Sequence, residues 1–270
     1  MAVRTVETLM RGPRGRRSYR RAHLEPPGLA LRRERIGVRA LPRAFDGFRV
    51  AQLPDFHAGA FLGRGDLASV VRLTNEIEPD VVALTGDFVT HDAGDVRVIV
   101  DDLGRLRARD AVRAVFGNHD YRRRREAEIA RVLGDRGIVF LRNACQRVER
   151  TDGAIAFVGV EDLAEGRVVD LDAARARMSA GDLEIVLCHH PRGALASARP
   201  GCVAVLSGHT HGTQVDLPLL RRLGPPHPGA RIDLGGTVLI VSRGLGVIGL
   251  PLRIGAPAEI VLLELERRDP

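Results

Sequence analysis

The strongest constraint on the fold of this chain is a repeated unit: a short apolar run that stops at a polar block. Val81-Val82-Ala83-Leu84 is apolar at every position and ends at Gly86-Asp87. Ala111 to Phe116 ends at Gly117-Asn118-His119-Asp120, and Val203-Ala204-Val205-Leu206 ends at Gly208-His209-Thr210-His211. Glu184 to Cys188 delivers His189-His190, and the alternating stretch Phe48 to Leu53 delivers Asp55 and His57. Continuous apolar runs predict strands buried on both faces. In α/β proteins the functional side chains collect where such strands end.

Between the runs the period changes. Leu67, Val70, Val71, Thr74 and Ile77 recur at helical spacing over 66–78, with Asp66 as N-cap and Pro79 beyond the end. Val96, Ile99, Val100, Leu103 and Leu106 predict a second helix over 96–108, and the Arg-rich stretch 122–125 opens a third through Ile129, Val132 and Leu133. The order is β-α-β-α-β-α, an α/β pattern. The second half has short strands at 138–141, 144–148 and 154–160 and a helix near 171–179. The tail segments Thr237–Ser242 and Glu259–Leu265 read as paired strands closing a sheet. Two β-rich halves that both contribute polar blocks predict a four-layer α-β-β-α sandwich: two mixed sheets face to face, helices outside.

With 270 residues, 44% of them apolar, the chain can bury one large core. No linker or repeat divides it. The expectation is one domain over 46–270 preceded by a basic arm over 1–45, with Glu25-Pro26-Pro27-Gly28 as a turn in that arm. All 41 basic residues are Arg, and 13 of them fall in residues 1–50 against 4 acids. That segment could touch anionic lipid headgroups or nucleic acid, or be a solvated terminus. Aromatics are 4% and Trp is absent, which argues against a dedicated nucleic-acid reader. Cys145, Cys188 and Cys202 form no CxxC pair, so no disulfide framework is expected and a reducing compartment is. No apolar stretch nears the roughly 18–20 residues of a membrane span, and no apolar segment follows Arg16-Arg17 as an export signal would require. The expected location is cytoplasmic, with peripheral contact at the inner membrane face as the further option.

The polar blocks have the chemistry of a metal centre. Side chains two apart on extended backbone lie on one side, so Asp55 and His57, and likewise His209 and His211, can grip one ion from adjacent positions. The carboxylate of Asp87 can bridge two ions about 3.5–4 Å apart. Asn118 adds a neutral oxygen, and a mixed N/O set suits manganese, zinc or iron. Each block alone is common by chance; five at successive strand ends are not independent accidents.

The series Asp-x-His, Gly-Asp, Gly-Asn-His-Asp, His and Gly-His-x-His resembles the calcineurin-like metallophosphoesterase superfamily. The tail blocks Val241-Ser242-Arg243-Gly244-Leu245-Gly246, Pro251-Leu252-Arg253-Ile254 and Pro257-Ala258-Glu259-Ile260 are similar to its bacterial phosphodiesterase branch, related to UDP-2,3-diacylglucosamine hydrolases. The resemblance implies that Asp55, His57, Asp87 and His211 hold one divalent ion, and Asp87, Asn118, His189 and His209 a second. His119 would serve as general acid or transition-state stabiliser, positioned by Asp120. Pro54, Phe56, Arg192 and Thr213 depart from the branch pattern without removing a ligand.

The implied activity is a binuclear metal-dependent phosphohydrolase. It would be a phosphodiesterase or pyrophosphatase on a small or lipid-linked phosphate ester, of UDP-diacylglucosamine type among others, with a metal-bridging hydroxide as nucleophile. A phosphomonoesterase or nuclease is the alternative within enzymes, and a metal-free scaffold is the alternative outside them. Arg122–Arg125 and Arg243 are candidate phosphate contacts, and Leu217–Leu220 with Gly224–Gly229 a candidate apolar rim. Gly244-Leu245-Gly246-Val247-Ile248-Gly249 satisfies a dinucleotide fingerprint, but Pro251 follows where a helix should begin, so a dinucleotide site is not expected.

Overall fold

The computed structural model describes residues 12–59, 61–166, 168–216 and 229–268. The chain opens with α1 (Pro13–Tyr19), which runs on as a π-helical turn through Leu24, and then β1 (Leu29–Val38). There follow β2 (Arg49–Leu53), α2 (Ala68–Glu76), β3 (Val81–Thr85), a 3-10 stretch (Ala93–Val98), α3 (Val100–Leu103) and β4 (Ala111–Val115). Next come α4 (Glu126–Gly134), β5 (Val139–Phe140), β6 (Ala144–Arg150), β7 (Gly153–Gly159) and α5 (Leu171–Arg175). The remainder is β8 (Leu183–Leu187), α6 (Gly193–Ser197), β9 (Cys202–Ser207), β10 (Arg231–Asp233), β11 (Val238–Val241) and β12 (Ala258–Arg267).

These strands form two six-stranded sheets, ordered β1-β12-β2-β3-β4-β5 and β10-β11-β9-β8-β7-β6. Strands β2 to β5 are mutually parallel, as are β7, β8, β9 and β11, while β12 runs antiparallel to β2. The burial of β3 shows why the layers stack. Val81 and Ala83 pack in the cluster between the sheets, with Phe157, Ile185 and Leu206 from the second sheet. Val82 and Leu84 point the other way, against Val70, Ile129 and Leu133 of the helices. On the far side, Val186 and Val205 pack with Ala174 and Ala194 of α5 and α6. The expected α-β-β-α sandwich of two mixed sheets is what the chain adopts.

Several local expectations are corrected. The two tail strands do not pair with each other. β11 joins the second sheet beside β9, and β12 enters the first between β1 and β2, each pairing settled by contacts distant in sequence. Within the segment read as a basic arm, residues 29–38 are instead an edge strand paired in parallel with β12 along ten positions. The preceding helical turns are fastened by buried Tyr19 and Leu24. Of the arm, residues 1–11 lie outside the described part. Asp66 does not cap α2. It accepts from the Gly63 N–H at 2.8 Å and pairs with Arg16 and Arg20, while Asp102 accepts from Leu67 N. The helix expected over 96–108 is only a 3-10 stretch plus α3, ending at Leu103 before Gly104. Among the described residues no helix is long and apolar enough to cross a membrane.

Candidate metal centre

Parallel neighbours end at the same edge of a sheet, so β2, β3 and β4 bring Asp55, His57, Asp87, Asn118 and His119 together. β8 and β9 do the same for His189, His209 and His211. The two edges are registered by a buried cross-sheet link. Gln52 on β2 donates through Nε2 to Thr85 Oγ1 and to the Ser207 carbonyl on β9, each at 2.9 Å. Past the strand ends the backbone turns sharply. Asp55, His57, Asp87, His209 and His211 all have positive φ (57°, 51°, 54°, 72° and 53°). Such conformations cost about 1–3 kcal/mol each and persist where surroundings over-determine them.

Gly117 permits the closest approach: a Cβ there would meet Asp87 Oδ1 at 2.2 Å. Gly244, at φ 74°, is the counterpart on the other side, since its Cβ would meet that of Asp55 at 2.7 Å. Gly246 N–H also donates to the Asp55 carbonyl at 2.6 Å. The glycine-rich turn thus backs Asp55. Buried Arg253 closes this turn by donating to the carbonyls of Arg243, Gly246 and Ala256.

Asp55, His57, Asp87 and His211 are buried and place one potential ligand atom each within 4.8 Å of one another. His57 Nε2 and His211 Nε2 are 2.9 Å apart. Asp87 Oδ2 lies 3.4 Å from His57 Nε2 and 3.3 Å from His189 Nε2. On the outer side, Asn118 Oδ1 is 3.2 Å from His189 Nε2 and 2.9 Å from His209 Nδ1. The seven residues expected as ligands therefore meet in one place. Asp55 is further fixed by the His209 N–H, at 3.0 Å from Oδ1.

The electrostatics suit a cation. Burial, joined by the charge of Arg253, pushes His211 down to about 3, and burial with neighbouring His189 pushes His209 down to about 4. Burial also holds His57 well below its usual value. These rings are neutral at pH 7 and keep a lone pair for a metal. Burial, with Asp87 alongside, raises Asp55 to about 7. Although burial opposes ionisation of both partners, Asp87 is held well below its usual value chiefly by His189, and His189 well above its own chiefly by Asp87. Two carboxylates enclosed this way are costly unless positive charge joins them. The donor set fits divalent metal.

His119 sits beside this cradle, its ring edge-on to His57 at a centroid distance of 4.7 Å. Asp120 does not touch that ring. Its carboxylate accepts from the N–H groups of Phe88 (2.8 Å), Val89 (3.3 Å) and Gly117 (2.9 Å), locking together the two loops that carry Asp87 and Asn118. The group at the ring is the Thr90 carbonyl, 2.9 Å from His119 Nδ1. Nothing in the sequence marks Thr90, because its main chain makes the contact.

The Arg candidates separate. Arg122 reaches His119, whereas Arg123 and Arg125 pair with Asp92. Arg243 is committed to the fully buried Glu259, which also pairs with Arg32 of β1. The candidate rim at 217–229 lies outside the described residues apart from Gly229.

The fold and cradle define a metal-dependent hydrolase of phosphoric esters, and sequence comparison agrees. Residues 48–213 match the family described as calcineurin-like phosphoesterase, and the chain belongs to that family. It is 31% identical over 254 residues to the Bacillus subtilis metallophosphoesterase YkuE, covering 90% of this chain and 88% of that one. It is 32% identical to a transmembrane protein with metallophosphoesterase domain from Danio rerio (86% of this chain, 56% of the relative). The same holds for its Bos taurus counterpart (32%; 90% and 58%), so the chain spans little more than half of these two vertebrate relatives.

Proposed function

We propose that the chain is a two-metal phosphodiesterase or pyrophosphatase acting on a small or lipid-linked phosphate ester. The observation that carries this reading is the position of Asp87. One oxygen, Oδ2, stands 3.4 Å from His57 Nε2 and 3.3 Å from His189 Nε2, at the junction of two nitrogen-rich clusters. Asp55, His57 and His211 would hold one ion with Asp87, and Asn118, His189 and His209 the other. The chemistry such ions supply is a water made nucleophilic near neutral pH and a phosphoryl group relieved of charge.

The chain's own groups do the rest. His189 Nδ1 lies 2.8 Å from the Thr85 carbonyl, which directs Nε2 into the site. Thr90 orients His119 similarly, so that Nε2, once it takes a proton from solvent, faces the departing oxygen as a donor. Asp120 keeps the loops that carry Asp87 and Asn118 at fixed separation.

The test is hydrolysis of bis(p-nitrophenyl) phosphate and p-nitrophenyl phosphate by protein loaded with manganese, zinc or iron, followed by nucleotide-sugar lipids and cyclic nucleotides. Faster turnover of the diester is expected. Folded, metal-loaded protein inert to every ester would sink the proposal, and a preference for the monoester would move it to the phosphomonoesterase alternative.

A further inference from the structure

Arg122 stands apart from the other arginines of the 122–125 run. Its Nη1 donates to the Thr90 carbonyl at 3.2 Å, and its Nη2 lies 3.2 Å from His119 Nε2. A guanidinium has donors and no acceptor, so Nε2 must be the accepting atom and the ring's proton must sit on Nδ1. That assignment agrees with the 2.9 Å contact between Nδ1 and the same Thr90 carbonyl. One main-chain oxygen therefore orients both the imidazole and the guanidinium. Arg123 and Arg125 turn away to Asp92. No carboxylate among the described residues pairs with Arg122, although most arginines near it are matched with acids.

An acid-free guanidinium held at the mouth of a phosphoesterase site is matched in charge and shape to phosphate oxygens, which accept its forked N–H groups. We propose that Arg122 binds a non-bridging oxygen of the substrate's phosphate, Nη2 passing from His119 Nε2 to the substrate as it enters. The inference rests on the phosphoesterase reading and names the group that selects the anion. Its position predicts two separable effects: tighter binding of the phosphate, and release of the His119 Nε2 edge toward the reacting group only when substrate is present.

The experiment is calorimetric titration of inorganic phosphate into the metal-loaded wild type, Arg122→Gln, Arg122→Lys and, as control, Arg131→Gln on α4, whose guanidinium pairs with Asp135, with aryl diester kinetics on the same samples. Arg122→Gln is expected to weaken phosphate binding at least tenfold and to raise KM more than it lowers kcat. Arg122→Lys should recover part of the affinity, and Arg131→Gln should match the wild type. Added guanidinium chloride at non-denaturing concentration should partly restore KM in Arg122→Gln. Equal phosphate affinity and KM in wild type and Arg122→Gln would overturn the inference, as would a fall in kcat alone, which would reduce Arg122 to holding His119. Wild-type protein that hydrolyses no ester while Arg122→Gln still loses phosphate affinity would overturn the hydrolase reading and support the anion site.

Discussion

The inner and outer halves of the candidate metal centre are built differently. Asp55, His57, Asp87 and His211 are all buried, and every one has positive φ. Of the outer residues, Asn118 and His209 are half-buried, and only His209 shares that backbone conformation. The second nitrogens differ as well. His189 Nδ1 has the Thr85 carbonyl, whereas Nδ1 of His57 and of His211 is buried without a hydrogen-bond partner. The inner His57 and His211 rings are therefore held by packing and backbone shape, whereas the outer His189 ring is held by a hydrogen bond and its neighbours Asn118 and His209 lie nearer solvent.

The most severe way to break this comparison is Asp87→Ala, because the proposed reading gives that carboxylate to both ions. Changes to groups that merely orient metal ligands cost on the order of 10–100-fold. Loss of a shared ligand should exceed about 100-fold in kcat/KM, with bound metal falling at both positions by elemental analysis. Retention of one full equivalent of metal would show the halves to be independent.

His211→Ala and His209→Ala sharpen the contrast next. Each is expected to lower bound metal toward one equivalent and activity by at least about tenfold. The inner substitution also opens a cavity in a packed, strained region, so its thermal midpoint should fall further than that of the outer one. Equal midpoints in differential scanning calorimetry would remove the distinction drawn here.

Chelation tests the whole centre at once. A ligand present at about 100 times its Kd stabilises the fold by roughly 2.7 kcal/mol. At roughly 2–4 °C per kcal/mol for a chain near this size, excess EDTA should lower the midpoint by about 5–10 °C, and restored manganese should reverse it. An unchanged midpoint would mean that the folded protein gains nothing from metal.

What could be read in advance divides along the same line as the chemistry. The gathering of the seven candidate residues in one place was legible because side chains make it and glycines mark the turns that carry them; Gly117 is required by the approach of Asp87. Strand β1 was not legible. Leu29-Ala30-Leu31-Arg32-Arg33-Glu34-Arg35 is an edge strand with much of its surface in solvent, and its charges mimic a free arm. Arg32 is in fact held by Glu34 and the buried Glu259. The separate destinations of β11 and β12 depend on partners far away in sequence, which local periodicity does not encode. Asp120 was placed in the right block with the wrong partner, since its hydrogen bonds go to main-chain N–H groups.

Thr90 gives the mildest test, because it divides its work between main chain and side chain. Its carbonyl orients His119, while its hydroxyl donates to the His57 carbonyl at 3.0 Å in a buried setting. Thr90→Val keeps the shape and the carbonyl and removes only the hydroxyl. The expected cost is about 1 kcal/mol, the net worth of one hydrogen bond, read as a small fall in thermal midpoint with kcat near wild type. A tenfold fall in kcat at unchanged stability would place the orienting role in the hydroxyl instead. It would also show that the inner half, through His57, governs His119.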